Sequence, residues 1–234
     1  MRNEKRKAAS RRSSGIVKNI GLTNANIKGT NHVGALAAVS SGKINNCFST
    51  GSITGNVYVG GLVGYNIYGS IADSYSQAVV NGRTGVGGLA GYNYGSLKNS
   101  YATGSVTGSG CGNSYSYTCG DGRGGTYSAA GCGGLVGEMY YYGISNSFAT
   151  GNVLGTSMVG GLAGHKTLTS AILTNSYWFN NQNSCISNKN GDSCTKASSI
   201  VYFYSRINAP MSSWDFVNTW SSVSGNYPKL IGFS

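Results

Sequence analysis

A glycine-rich block returns along this chain at a nearly constant spacing. Four full copies and one diverged copy occur, at residues 59–66 (VGGLVGYN), 86–93 (VGGLAGYN), 132–137 (CGGLVG), 159–164 (VGGLAG) and 33–38 (VGALAA). Gly60 and Gly87 are 27 residues apart, and so are Gly133 and Gly160. Gly87 and Gly133 are 46 apart, which is one period plus an insertion of 19 residues. A period of roughly 20–50 residues is typical of stacked-repeat proteins.

Between the glycine blocks, aligned positions form columns of similar residues. In order they are aliphatic, Asn or Asp, aromatic, and aliphatic again. They hold Val17, Ile44, Ile71, Leu97, Ile144 and Leu173; Asn19, Asn46, Asp73, Asn99, Asn146 and Asn175; Phe48, Tyr75, Tyr101, Phe148 and Tyr177; and Ile27, Ile53, Val80, Val106 and Val153. Alternation within each short run indicates a strand, and the glycines between runs indicate turns.

These columns predict an all-β fold, a parallel β-solenoid (β-helix) of about five to six coils, with one coil per repeat. Stacking would turn the columns into ladders, with aliphatic side chains inside, aromatic rings stacked, and Asn amides hydrogen-bonded between coils. The glycine pairs would supply either a positive φ or close backbone approach. These structural glycines are Gly60, Gly61, Gly87, Gly88, Gly133, Gly134, Gly160 and Gly161.

The period also suggests boundaries along the chain. We expect residues 1–14 to be a basic disordered tail, residues 15–178 to form the repeats with an insertion at 109–128, and residues 179–234 to be a loop and capping segment. That last segment holds Trp214, Phe216 and Trp220, and we expect it to cover the final coil as an aromatic cap. No similar cap precedes Val17, so we expect the chain to be the C-terminal piece of a longer protein.

Charge adds little to this interpretation. The net charge is +11, and six basic residues against Glu4 in the first 12 positions supply +5 of it. Such a tail is either an anion-binding patch or a solvated terminus. No aromatic residue interleaves with these cations, which disfavours a nucleic-acid partner. The sequence shows neither a signal peptide nor an apolar run long enough for a membrane span.

The six cysteines favour disulfides over metal binding. Cys111 and Cys119 form one close pair, Cys185 and Cys194 form another, and both pairs lie in polar loops. We expect each pair to form a local disulfide in an oxidising compartment. The tight C-x-x-C spacing of a zinc site is absent. Cys132 occupies a position that is Val in the other full copies, which favours a small core residue.

Chemistry-bearing motifs are missing from this sequence. The six acidic residues form no evident pair for glycoside hydrolysis, and no H-E-x-x-H, Walker or G-x-S-x-G motif occurs. His32 and His165 are expected to be polar surface residues, so we predict no catalytic residue, metal or cofactor. Tyrosine gives large contact area at low entropic cost. The predicted contact residues are therefore Tyr115, Tyr117, Arg123, Tyr127, Tyr140, Tyr141 and Tyr142.

The pattern VGGLVGYN at 59–66 followed by GSLKNSYATGSVTG at 95–108 resembles the GLUG motif of bacterial surface proteins. The endings SYWF, WDFVNTW and YPKL resemble the segment that closes such arrays. The resemblance is to filamentous-haemagglutinin-like adhesins and to the non-catalytic repeats of IgA-specific metallopeptidases. It implies a secreted or cell-surface module with an adhesion or spacer role and no catalytic residue, whose partner would be a surface protein or glycan of a host or neighbouring cell. A carbohydrate-active β-helix enzyme and a degraded reading frame are the alternatives.

Overall fold

The chain winds into a parallel β-solenoid of about five coils, as its repeat predicts. A computed structural model describes residues 12–113, 115–118, 124–127, 130–187, 194–208 and 211–233. The coils stack through parallel strand pairs, and antiparallel pairing occurs in two short hairpins among these residues. None of the helical segments in the described residues has the length and apolar character needed to span a bilayer.

The strands follow the coils in chain order. The first coils contain β1 (Arg12–Ser13), β2 (Ile16–Lys28), β3 (Asn31–Val33), β4 (Ala37–Ser40) and β5 (Lys43–Thr54). The next two contain β6 (Val57–Gly60), β7 (Val63–Asn66), β8 (Ser70–Ala72), β9 (Tyr75–Ser76) and β10 (Val79–Gly82), then β11 (Thr84–Gly87), β12 (Ala90–Asn93), β13 (Leu97–Lys98), β14 (Tyr101–Ala102) and β15 (Val106–Gly108).

The insertion and the later coils complete the chain. A hairpin of β16 (Tyr115–Thr118) and β17 (Gly124–Tyr127) precedes β18 (Cys132–Gly133), β19 (Val136–Met139), β20 (Ile144–Ser145), β21 (Phe148–Ala149) and β22 (Val153–Gly155). The end contains β23 (Val159–Gly160), β24 (Ala163–Lys166), β25 (Leu173–Thr174), β26 (Ser176–Trp178), β27 (Cys194–Lys196), the 3-10 helices η1 (Ile200–Tyr204) and η2 (Met211–Ser213), β28 (Trp220–Ser221) and β29 (Lys229–Leu230).

Three sheets run along the stack. A six-stranded sheet is built around β7, β12 and β19, a five-stranded sheet around β6 and β11, and a 14-stranded sheet from the remaining strands of each coil. Register keeps equivalent residues above one another. Leu97, for example, pairs with Ile71 on one side and with Ile144 on the other. The aliphatic columns therefore become continuous buried ladders.

Two narrow apolar cores result. One core lies between the six-stranded sheet and the β8–β13–β20 part of the large sheet, and it includes Leu62, Leu89 and Ile71. The other lies between the five-stranded sheet and the β10–β15–β22 part, and it includes Val59, Val86 and Val80. The six- and five-stranded sheets separate these two cores, and they pack directly on each other.

Glycine makes the contact between these two sheets possible. A Cβ added to Gly87 on β11 would lie 2.6 Å from the backbone nitrogen of Gly137 on β19. A Cβ on Gly137 would in turn lie 2.6 Å from the backbone nitrogen of Val86. Gly60 and Gly91 repeat this contact one coil earlier, at 2.7 Å from the Gly60 Cβ position to the nitrogen of Gly91. The glycine block therefore allows the backbones of the two sheets to touch. Any residue with a side chain at these positions would hold them apart.

This contact decides between the two roles expected for the glycine pairs. None of the eight paired glycines has a positive φ. The second glycine of each pair is crowded as well: a Cβ on Gly88 would lie 2.7 Å from Ala102 Cβ, and one on Gly134 would lie 2.9 Å from Ala149 Cβ. Close approach is the reason for both glycines.

The Asn and Asp column supplies one set of left-handed residues, and His32, Tyr58, Gly85 and Met158, each directly before a glycine block, supply another. Asn19, Asn46, Asp73, Asn99, Asn146 and Asn175 all have φ between 47° and 59°. After glycine, Asn and Asp tolerate this region best. Their amides also join the coils: Asn46 Nδ2 donates to Asn19 Oδ1 at 2.8 Å, Asn99 Nδ2 to Asp73 Oδ1 at 2.9 Å, and Asn146 Nδ2 to Asn99 Oδ1 at 3.3 Å.

The aromatic column forms a stack on the outer flank of the large sheet. Phe48–Tyr75, Tyr75–Tyr101 and Tyr101–Phe148 have ring centroids 5.0, 4.7 and 4.8 Å apart with planes within 6°. The C-terminal segment covers this stack. Its aromatic residues contact successive coils, with Phe233 5.0 Å from Tyr75, Trp220 5.9 Å from Phe148 and Trp214 5.4 Å from Tyr177.

The predicted capping segment at 179–234 has two parts. Its first part covers the final coil through β27 on β26 and a bridge between Ile186 and Ala163. Its aromatic part lies along the flank of several coils, where the aromatic stack is. The predicted disordered tail at residues 1–14 is too long, since Arg12–Ser13 already form β1 paired with β4. Residues 1–11 lie outside the described residues.

One of the two predicted disulfides is wrong. Cys111 bonds to Cys132, 21 residues away, and not to Cys119, which lies outside the described residues. Cys132 is therefore half of a disulfide and not merely a small core residue. Because Cys111 lies near the start of the insertion and Cys132 lies just after its end, their bond holds the two ends together inside the second core. Cys185 bonds to Cys194, as the sequence indicates.

We predict that Gly137→Ala lowers the free energy of unfolding by about 3 kcal/mol or more, because its methyl would meet backbone that cannot rotate away. Gly15→Ala is the matched control, since a Cβ there has no neighbour within 4 Å. Urea titration followed by circular dichroism measures both. Equal stability of Gly137→Ala and the parent would contradict the glycine-contact account.

We also predict that Asn99→Ala costs about 2–3 kcal/mol, from the left-handed backbone and the lost amide bonds together. Asn99→Gly keeps the backbone conformation and loses only the hydrogen bonds, so it should cost about 1 kcal/mol less than Asn99→Ala. Thermal unfolding of the two variants separates the two effects. If Asn99→Gly were the less stable one, the φ argument would fail.

Candidate binding surface

The turns that leave the six-stranded sheet grow longer along the solenoid. The turn from β4 to β5 has two residues, those from β7 to β8 and from β12 to β13 have three, that from β19 to β20 has four, and that from β24 to β25 has six. The strands they connect remain in register. The additional residues must therefore project from the corner, where binding residues are commonly placed.

Tyrosines occupy the middle turns and form one cluster. We call Tyr68, Tyr94, Tyr140, Tyr141 and Tyr142 the tyrosine ridge. Tyr94 lies at its centre, 4.7 Å from Tyr68 and 5.1 Å from Tyr140 between ring centroids. Tyr141 stacks on Tyr94 at 5.6 Å and meets Tyr142 edge-on at 4.9 Å. Tyr68, Tyr141 and Tyr142 expose 68, 42 and 50% of their surface, so the ridge offers aromatic area to a partner.

A buried layer supports the ridge. Tyr65 and Tyr92 stack at 4.4 Å, and Tyr58 packs against both rings. The Tyr58 hydroxyl donates to Glu138 Oε2 at 3.0 Å, and Thr167 Oγ1 donates to Glu138 Oε1 at 2.8 Å. The carboxylate therefore ties strands of three different coils together under the ridge.

Buried amides hold the turns themselves. Asn66 Nδ2 donates to Asn93 Oδ1 at 2.7 Å and to the carbonyl of Gly69 at 3.0 Å. Asn93 Nδ2 donates to the carbonyl of Gly95 in the same way. Each turn is thus fixed to its own coil, and the two turns to each other. The ridge is presented on a rigid base, which lowers the entropic cost of binding.

The contact residues predicted from the sequence fall in two places. Tyr140, Tyr141 and Tyr142 belong to the ridge. Tyr115 and Tyr117 lie on β16 and Tyr127 on β17, with Tyr115 in register with Tyr127. Arg123 lies outside the described residues.

Sequence reasoning missed part of the ridge and its base. Tyr68, Tyr94 and the Tyr58–Tyr65–Tyr92 layer were not among the predicted contacts. A signal existed for some of them, because Tyr65 and Tyr92 occur in the repeated G-Y-N ending of the glycine block. Tyr68 and Tyr94 precede aligned glycines, but Tyr68 lies two residues after Asn66 whereas Tyr94 directly follows Asn93, and this offset hides their equivalence.

The acidic side chains of the described residues serve as hydrogen-bond acceptors. Within the described ranges, no group of three or more His, Cys, Asp or Glu side chains is placed to hold a metal ion. The acidic groups described are Asp73, Glu138 and Asp215. Asp73 accepts from the amides of Asn45 and Asn99, Glu138 from Tyr58 and Thr167, and Asp215 from the backbone of Val217 and Asn218.

Two of the repeats match a known family model. The family model described as the GLUG motif matches residues 55–81 and 82–107, and each matched segment is one complete coil. The chain therefore contains two matches to the GLUG motif. GLUG repeats are non-catalytic modules.

Two individual proteins are similar to this chain, one over a short stretch and the other over most of its length. Halomucin of Haloquadratum walsbyi is 44% identical over 52 residues, a stretch that is 22% of this chain and about 1% of halomucin. The crystal structure of a candidate immunoglobulin A1 protease from Bacteroides ovatus superposes with a TM-score of 0.56 at 19% identity. That match covers 94% of this chain and 76% of the other, and at this identity it shows a shared fold.

Burial raises the pKa of Tyr92, and the neighbouring phenol of Tyr65 raises it further. The unfolded chain ionises this phenol near the usual pKa of about 10. The neutral Tyr92 phenol therefore contributes its full share of the folding free energy below about pH 10. This contribution is lost as the pH rises from there toward the folded-state pKa.

We predict that Tyr92→Phe moves the alkaline unfolding midpoint to higher pH, because it removes a group that ionises only on unfolding. Tyr142→Phe, at the exposed end of the ridge, should leave the midpoint unchanged. Base titration followed by circular dichroism gives both midpoints. Identical midpoints for Tyr92→Phe and the parent would contradict the assignment.

Proposed function

We propose that the chain is a non-catalytic adhesion module of a larger secreted or surface-exposed bacterial protein, and that the tyrosine ridge is its contact surface. The observation that carries this proposal is the ridge itself: three exposed tyrosines on turns that buried amides and backbone hydrogen bonds between coils hold in place. Tyrosine is enriched at protein contact sites because it combines a large apolar area with few rotatable bonds.

The cysteines support an extracellular location. Two disulfides occur in the described residues, and disulfides persist mainly in oxidising compartments. The GLUG repeats favour a module within a larger protein, with residues 15–178 as the scaffold, residues 179–234 as its closing segment and the insertion at 109–128 as a second contact region. The partner would be a surface protein or glycan of a host or neighbouring cell.

The alternative of a polysaccharide-cleaving enzyme has less support. Glycoside hydrolysis uses two carboxyl groups about 5–9.5 Å apart across the scissile bond. Asp73 and Glu138 lie on different faces of the coil, and Glu138 is 5% exposed beneath the ridge. The described residues therefore favour binding over cleavage.

We predict that beads coated with the chain adhere to cultured epithelial cells or to bacterial cells, and that Tyr141→Ala/Tyr142→Ala reduces adhesion at least about fivefold, since contact tyrosines commonly contribute more than 1 kcal/mol. Ile207→Ala is the control, because Ile207 is 78% exposed and lies away from the ridge. Adhesion no greater than that of albumin-coated beads would favour a spacer role. Release of reducing sugar from a polysaccharide panel would favour the enzyme.

A further inference from the structure

A groove runs beside the tyrosine ridge at the N-terminal end of the stack. Its volume is about 470 Å³, within the roughly 300–1,000 Å³ typical of ligand sites. Tyr68, Tyr142 and Ile16 contribute apolar surface to its lining, and Ser41, Ser70 and Ser96 contribute hydroxyls. A lining that combines aromatic rings with hydroxyls suits a ligand that is apolar on its faces and polar at its edges.

The groove arises from a change of side chain between coils. The corner position before the aligned glycine is Ser14 in the first coil and Ser41 in the second, but Tyr68 in the third. The glycines are stacked closely, since a Cβ on Gly69 would meet the carbonyl oxygen of Gly42. The small residues of the early coils therefore leave a step, and Tyr68 stands at its edge with 68% of its surface exposed.

Positive charge lies in and beside the groove. Lys43 is the one charged side chain among the described residues that line it. Lys18 and Lys98 lie two residues further along the neighbouring strands, in register with each other through Asn45 and Ala72. All three lysines are exposed. By strand spacing, Lys43 and Lys98 are about 12 Å apart, so the cations follow the direction in which the coils stack.

The described carboxylates offset these lysines only in part. Asp73 is the nearest in register, where its two oxygens accept from the amides of Asn45 and Asn99, and it is one carboxylate beside three lysines. Glu138 is buried beneath the ridge, and Asp215 caps a turn in the C-terminal segment. The face beside the groove therefore has a net positive field, which attracts anionic ligands.

We propose that this groove binds an acidic polysaccharide, with a sugar ring packed on Tyr68 and Tyr142 and its carboxylate or sulfate paired with Lys43. The polysaccharide would continue along Lys18 and Lys98, with successive sugars lying across successive coils. This inference rests on the proposed function and names the ligand class of the same corner. Serine hydroxyls and one lysine in the groove suit scattered sugar charges better than the continuous phosphates of a nucleic acid.

The test is fluorescence anisotropy with the full chain and four labelled probes: an alginate oligosaccharide, heparin, neutral dextran and single-stranded oligothymidine. Alginate, heparin or both should bind, with affinity falling at high NaCl, and dextran should not. Lys43→Ala and Tyr68→Ala should each weaken binding about tenfold, as expected for loss of a charge-assisted bond or an aromatic contact. Lys229→Ala and Tyr204→Ala are matched controls in the C-terminal segment, outside both the groove and the ridge, and should bind like the parent.

The outcomes separate the possibilities. Alginate alone would assign carboxylate and heparin alone would assign sulfate, and each supports the proposal. Failure of both acidic glycans, equal binding of dextran, unchanged affinity of Lys43→Ala and Tyr68→Ala, or tighter binding of oligothymidine would overturn it. If bead adhesion depends on Tyr141 and Tyr142 but no acidic glycan binds, this inference is contradicted and the adhesion role is not. If acidic glycans bind but the coated beads do not adhere, the adhesion role is contradicted and this inference is not.

Discussion

Backbone packed against backbone is the constraint on which the rest of this structure depends. The six- and five-stranded sheets meet through Gly60 and Gly91 in one pair of strands and through Gly87 and Gly137 in the next. Sheets usually pack about 10 Å apart because side chains fill the space between them. In this protein glycines form the contact, so no side chains separate the six- and five-stranded sheets. Each coil is therefore thin and has two narrow cores in place of one wide core.

A thin coil leaves little internal room for large side chains. Most aromatic residues therefore lie outside the two coil cores, in two groups. One group is the stack on the flank, and the C-terminal segment buries it under Trp214, Trp220 and Phe233. The other is the tyrosine ridge with its buried layer, for which the described residues provide no such cover. The same constraint thus yields both a stabilising aromatic flank and an exposed aromatic contact surface.

Much of the fold was predictable because a stack gives every copy of a residue the same surroundings. Ile71, Leu97 and Ile144 share one environment, and Asn99 and Asn146 share one backbone conformation, so period and column reveal both. The predictions failed where that equivalence ends. The partner of Cys111 depends on how the insertion returns to the coil, and the path of residues after 196 depends on contacts that no repeat encodes. Tyr68 and Tyr94 were missed because their distances from the preceding G-Y-N ending differ by one residue.

Amide hydrogen exchange tests the central claim most directly. If the glycine contacts hold the two sheets together, peptides that cover 84–93 and 131–139 should exchange only through global unfolding, with equal opening free energies. Peptides from the C-terminal segment at 211–233 should open earlier, because they cover the coil and do not build it. Exchange across the glycine blocks as fast as in the C-terminal segment would contradict this account.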